Sequence, residues 1–227
     1  MLLQRRNKPI VFGGPSLTTS RQLYPEAFEY LPPVCRGDLL RLLTADHPRP
    51  TWVLITDGVF GESLAVAPVE CMELMEAGWT LLGASSMGAL RAADCSTVGM
   101  LGIGRVFLGL KAGHYRSDAD VAVLYGGEGN QELTVSIVHA DHVARHLQKT
   151  YFLPDGRRRL MLRYLRSVPW YERYPYVVAE CFAHYFKSSR LEASVAEMLG
   201  KPELNPKVSD AQLACDMLAQ YYLGRYV

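Results

Sequence analysis

"TLLGASSMGALRAAD", residues 80–94, changes character halfway along. An apolar run gives way to a glycine and two serines, and these to a run of helix formers, which is the pattern of strand, tight turn and helix. Ala84-x-Ser86-x-Gly88 sets small residues around a serine in the manner of a nucleophile elbow. Such a turn exposes the hydroxyl and lets neighbouring backbone N–H groups form an oxyanion hole. The helix that follows directs its positive dipole end at the same hydroxyl. A plainer reading has Ser85 or Ser86 capping the helix while the small residues permit close packing. The spacing leaves both open.

Two further runs, "PIVFG" (9–13) and "TWVLIT" (51–56), join "WTLLGA" (79–84) as expected buried strands. Helical patterns lie between them, at "RGDLLRLLTAD" (36–46) and "APVECMELMEAG" (67–78), the latter with Pro68 suited to a first turn and Gly78 to a stop. Alternation of this kind predicts an α/β fold, a parallel sheet with crossover helices. The glycine-rich "VGMLGIGRVFLGLKAGHY" (98–115) reads as a turn and a further helix, and "LTVSIV" (133–138) as a strand. From about residue 139 the chain turns mainly helical, ending in "SDAQLACDMLAQYYLG" (209–224), where Ser209 and Gln212 form a capping-box signature. The expected division is a core over 1–130 and a mainly helical C-terminal part over 131–227, which can belong to the same domain.

Ligands of open α/β sheets bind beyond the carboxyl ends of the strands. Three turns are expected to converge there: "GGPSLTTS" (13–20), "TDGVFGE" (56–62) and "GASSMG" (83–88). A serine nucleophile needs a base. Lys111 is the nearest downstream lysine, and His114, His139, His142 and His146 follow it. "HADHVARH" places three of these histidines on one helical face, without the glutamate of a metalloprotease motif, and reads as an exposed or interface helix. "GGPSL" lacks the lysine of a phosphate loop, and "GMLGIG" reads as packing and turns. The arginine- and aromatic-rich "GRRRLMLRYLRSVPWYERYPY" (156–176) reads as a protein-docking or solvated surface.

The totals narrow the class. A chain of 227 residues can bury a core without metal or disulfide staples. Its 49% apolar and 21% charged residues are those of a soluble globular protein. A net charge of +1 supplies no field for nucleic acid or anionic lipid. Five widely spaced cysteines without a C-x-x-C fit a reducing cytoplasm. The apolar run after "MLLQRRNK" is too short for a signal peptide or membrane anchor.

"VFGGPSL", "LPPVCRGDLL", "DGVF", "GASSMGALRAAD", "GMLGIGRVF" and "SDADVAVLYG" occur in the order and approximate spacing of the TfuA-like family, which the chain resembles over residues 10 to about 126. The resemblance implies a partner of YcaO enzymes in peptide-backbone thioamidation. YcaO uses ATP to activate the amide oxygen; the TfuA-like partner helps deliver sulfur, releasing sulfide from a thiocarboxylated ThiS-like carrier at a serine–lysine site. It implies Ser86 as nucleophile, with Ser85 adjacent, and site-shaping roles for Arg36, Asp38, Asp57 and Arg91. Gly14 and Ser16 of the first turn complete the expected substrate-binding set. Where relatives carry H-K-E before the serine turn this chain has Pro68-Val69-Glu70. Lys111 as the substitute lysine is read from this chain alone. The expected partners are a YcaO enzyme, the carrier and, through YcaO, a precursor peptide. No metal or intrinsic cofactor is expected, the ATP belonging to YcaO. The alternatives are a non-catalytic adaptor that docks YcaO with its peptide, and a small α/β serine hydrolase that uses one of the downstream histidines.

Overall fold

The computed structural model describes residues 8–44, 52–61, 64–126, 131–151 and 155–223. Its centre is a five-stranded, wholly parallel sheet of β1 (Ile10–Phe12), β2 (Glu29–Leu31), β3 (Trp52–Ile55), β4 (Thr80–Gly83) and β5 (Leu101–Gly102). The spatial order is β2-β1-β3-β4-β5. The chain winds outward from β1 to β2, then resumes on the other side of β1 with β3. The resulting switch point between β1 and β3 leaves a crevice at their carboxyl ends.

Apolar residues alternate to both faces of the sheet, as a strand with period two requires. Ile10, Phe12, Val53, Ile55 and Leu81 pack with α2 (Asp38–Thr44), α3 (Pro68–Glu76) and α4 (Met87–Cys95). Val11, Leu54 and Leu82 face the other way, onto α10 (Pro206–Leu223) and the turn before α1 (Thr18–Leu23). The three expected strands and the helices after them are present. The last residues of the helix expected over 36–46 lie outside the described residues.

"LTVSIV" is not a strand. Only Gln131–Glu132 (β7) extends, pairing with Tyr125–Gly126 (β6), and Ile137 already opens α6 (Ile137–Tyr151). The β-branched residues mask a helix start: the Ser136 hydroxyl accepts the His139 N–H at 3.3 Å, the bond of an N-cap. The capping box at Ser209 is likewise absent, because α10 begins earlier. Asn205 accepts the Lys207 N–H at 3.1 Å and Pro206 fills the first helical position. Gln212 instead accepts from the Ser20 hydroxyl and donates to Asp216.

Helices α6, α7 (Asp155–Ser167), α8 (Pro175–Phe186) and α9 (Arg190–Leu199) build a second apolar cluster. Three arginines read as surface groups are internal ties. Arg158 pairs with buried Asp141, and Arg166 meets buried Asp120 at 3.0 Å. Arg173 is itself buried and donates to the carbonyls of Ala119, Leu165 and Val168.

Candidate functional site

The turns after β1, β3 and β4 meet at the carboxyl edge of the sheet. Asp57, just past β3, turns its carboxylate to the β1 turn, where Oδ2 accepts from Gly14 N (2.8 Å), Ser16 N (3.2 Å) and Ser16 Oγ (2.6 Å). Gly14, Ser16 and Asp57 are thus brought together, but their donors and acceptor are spent on one another. Asp57→Ala would leave two amides and a buried hydroxyl without their acceptor. It is expected to lower unfolding free energy by about 2–4 kcal/mol, read as a lower urea midpoint.

At the β4–α4 elbow, backbone approaches backbone. Ser86 N and Gly88 N both donate to the Thr56 carbonyl, at 3.0 and 3.3 Å. A Cβ on Gly88 would fall on the Ile55 carbonyl, and one on Gly83 on the Gly88 carbonyl. Ser85 is held at φ 68, a left-handed conformation uncommon for serine. Ser86 occupies the N-cap position of α4, yet its side chain makes no cap hydrogen bond. Its Oγ lies 3.4 Å from the Val121 carbonyl, a long and weak contact for a hydroxyl donor. Ser85 Oγ is fully buried and has no hydrogen-bond partner among the described residues. Close packing therefore explains the glycines, and capping does not explain the serines.

The lysine beside Ser86 is Lys207, from the first turn of α10, which sequence reasoning missed. Its Nζ lies 3.4 Å from the same Val121 oxygen, so the two side-chain atoms are no farther apart than those two contacts end to end. Lys207 is 1% exposed and meets Glu132 Oε1 at 2.5 Å, while Asn205 Nδ2 donates to Glu132 Oε2 at 3.1 Å. The positive end of a helix dipole is a poor place for an ammonium. That misfit in "NPKVSD" was the signal available in the sequence.

The remaining expected residues lie elsewhere. Lys111 is exposed at the end of α5 (Gly104–Lys111) and donates to Ser96 Oγ at 2.8 Å, past the far end of α4. Nine helical residues, roughly 13 Å, separate that end from the serines, so Lys111 is not brought to Ser86. Arg91 ties α4 to the loop between β3 and α3 through Nε to the Val66 carbonyl (2.7 Å), and forms an ion pair with Asp94 of its own helix. Asp38 accepts from Cys35 N (2.6 Å) and pairs with Arg41. Arg36 N donates to the Leu64 carbonyl. Buried Glu70 bridges Gly37 N and Ala67 N, which steadies this same loop, and Val69 beside it is exposed.

Nor is the histidine face uniformly exposed. His139 is buried, with Nε2 unpartnered among the described residues, and burial first, then the charge of Lys207, pushes its imidazole down to about 3. The folded protein therefore holds His139 neutral where the unfolded chain, titrating near 6.5, takes up a proton. Stability is lost as pH falls below about 6.5, by up to about 1.4 kcal/mol per unit. His139→Leu is expected to lose about 2 kcal/mol less than the parent between about pH 7 and pH 5, measured by urea unfolding at each pH.

Among the described residues no three His, Cys, Asp or Glu side chains gather at metal-binding distance, and no helix is long and apolar enough to cross a membrane. Fold and site together define a doubly wound α/β protein with a strained serine elbow closed over by a lysine-bearing helix. The chain belongs to the TfuA-like family: the family described as TfuA-like protein matches residues 57–174, just over half of it. That match runs from the β3 turn through the elbow to the end of the buried-arginine segment, and stops short of Lys207. No curated protein matches the chain.

Proposed function

We propose that this TfuA-like protein serves YcaO-dependent peptide-backbone thioamidation by releasing sulfide from a thiocarboxylated ThiS-like carrier at Ser86. The observation that supports it is the shared Val121 carbonyl, which sets a buried ammonium beside a loosely held serine hydroxyl at a strained elbow. Ser86 Oγ attacks the carbonyl carbon of the carrier's C-terminal thiocarboxylate. The C–S bond breaks, the serine proton leaves with sulfur as hydrosulfide, and an acyl-serine remains. Water then cleaves the ester, regenerating the serine and returning the carrier as a carboxylate with one proton released. Lys207 stabilises the oxyanion of the tetrahedral stage, where a fixed positive charge in a dry site acts most strongly. The YcaO partner supplies ATP-dependent activation of the peptide amide, so this chain needs no nucleotide of its own.

A second reading, the non-catalytic adaptor, is favoured by burial: Ser85 and Ser86 are only 0% and 3% exposed, so a carrier tail must displace part of the cover to reach them. Intact-mass analysis of the thiocarboxylated carrier separates the two. Conversion to carboxylate by this protein that is lost in Ser86→Ala supports the hydrolase. Thioamidation of the peptide that is unchanged in Ser86→Ala supports the adaptor and overturns the serine mechanism.

A further inference from the structure

A groove of about 740 Å³ runs between α5 and α6, away from the buried serines. Among the described residues its charged lining is wholly cationic, with Arg105 on α5 and Arg145 and Lys149 on α6, and His142 and His146 of α6 line it too. Two carboxylates that neighbour these cations are turned inward. Asp210 caps the amides of Arg105 and Val106 at 2.9 and 2.8 Å, and Asp141 is engaged by Tyr115, Arg145 and Arg158. Both are buried, so the positive charge on the wall faces solvent with its counter-charge behind it. The wall is also partly apolar: Leu108 is 62% exposed there. Along α5 it extends about 12 Å, the length of about four extended residues. Pro206, the residue before Lys207, also lines it.

We propose that this groove docks an extended acidic segment of a partner protein, with carboxylates set against Arg105, Arg145 and Lys149 and an apolar side chain on Leu108. Charge complementarity selects the occupant: the chain's net charge of +1 gives no long-range field for a polyanion, whereas a local cationic wall that also carries an exposed leucine suits alternating carboxylate and aliphatic side chains. The inference stands on the groove's own geometry and is read by binding, so it fails or survives independently of sulfide release.

The test is fluorescence anisotropy with a labelled peptide of alternating glutamate and leucine, about eight residues long, against a lysine–leucine peptide, a single-stranded RNA of similar length and inorganic phosphate as competitor. Saturable binding of the acidic peptide is expected, weakened about tenfold or more by the paired substitutions Arg105→Glu and Lys149→Glu, and by raising salt from about 0.05 to about 0.3 M. Both side chains are exposed, and an unchanged urea midpoint confirms that the variant is folded. No saturable binding, binding indifferent to the paired substitution, equal or tighter binding of RNA or of the basic peptide, or full displacement by millimolar phosphate would overturn the proposal.

Discussion

In Ser86→Ala, conversion of carrier thiocarboxylate to carboxylate is expected to fall about a thousandfold, to the rate of the carrier alone, with the urea midpoint little changed. Among the described residues the hydroxyl makes one long hydrogen bond, to Val121, so its loss costs the fold little. Ser85 is the natural rival, being the strained residue with the unpartnered oxygen. Ser85→Ala is expected to retain release within a few-fold, and a reversal of the two results would move the nucleophile by one residue. Lys207→Met keeps the buried stem while removing the charge, and a loss of about a hundredfold is expected. Glu132 stays hydrogen-bonded to Asn205 in that variant, which limits the structural damage. Lys111→Ala should release sulfide at the parental rate, since its ammonium is engaged by Ser96 at the opposite end of α4.

The second large effect falls on a residue that does no chemistry. Gly88→Ala is expected to abolish soluble, folded protein, with a cost above about 3 kcal/mol. The added methyl would overlap the Ile55 carbonyl on one side and press toward Gly83 on the other. Both are backbone, so no rotamer change makes room, and relief requires α4 to move off β3 and β4 together. Gly156 is the internal control. It sits near the start of α7, where an added methyl would meet nothing within 4 Å, so Gly156→Ala should stabilise by about 0.5–1 kcal/mol. Soluble yield and urea unfolding of the two variants read the contrast.

What could be seen in the sequence was local. β1, β3 and β4 are short apolar runs because strands buried on both faces must be, and "GASSMGALRAAD" shows its turn through glycines that the close approach requires. β2 and β5 escape detection because "EYL" and "LG" are short edge pieces, partly exposed, with no periodicity to read. Asp57 is legible as a turn residue, but not that Ser16 and Gly14 would bind it. Arg166 and Arg173 carry the same letters as solvated arginines; only the placement of Asp120 and the Ala119 carbonyl turns them inward. Lys111 has only nearness along the chain to commend it. Lys207 comes from the other end of the sequence, and a pairing made by a returning helix leaves no trace in spacing.

The return of α10 to the sheet has a consequence for how the molecule is made. Chain emerging from a ribosome delivers all five sheet strands early, but Val11, Leu54 and Leu82 wait for Ala211, Ala214 and Leu218 to cover them. Asp210 reaches the start of α5 and Lys207 the elbow only once α10 itself has been made. Nascent chains thus hold a half-covered sheet and an uncovered serine elbow until α10 has emerged, so the elbow takes its final form only after the strands that carry it.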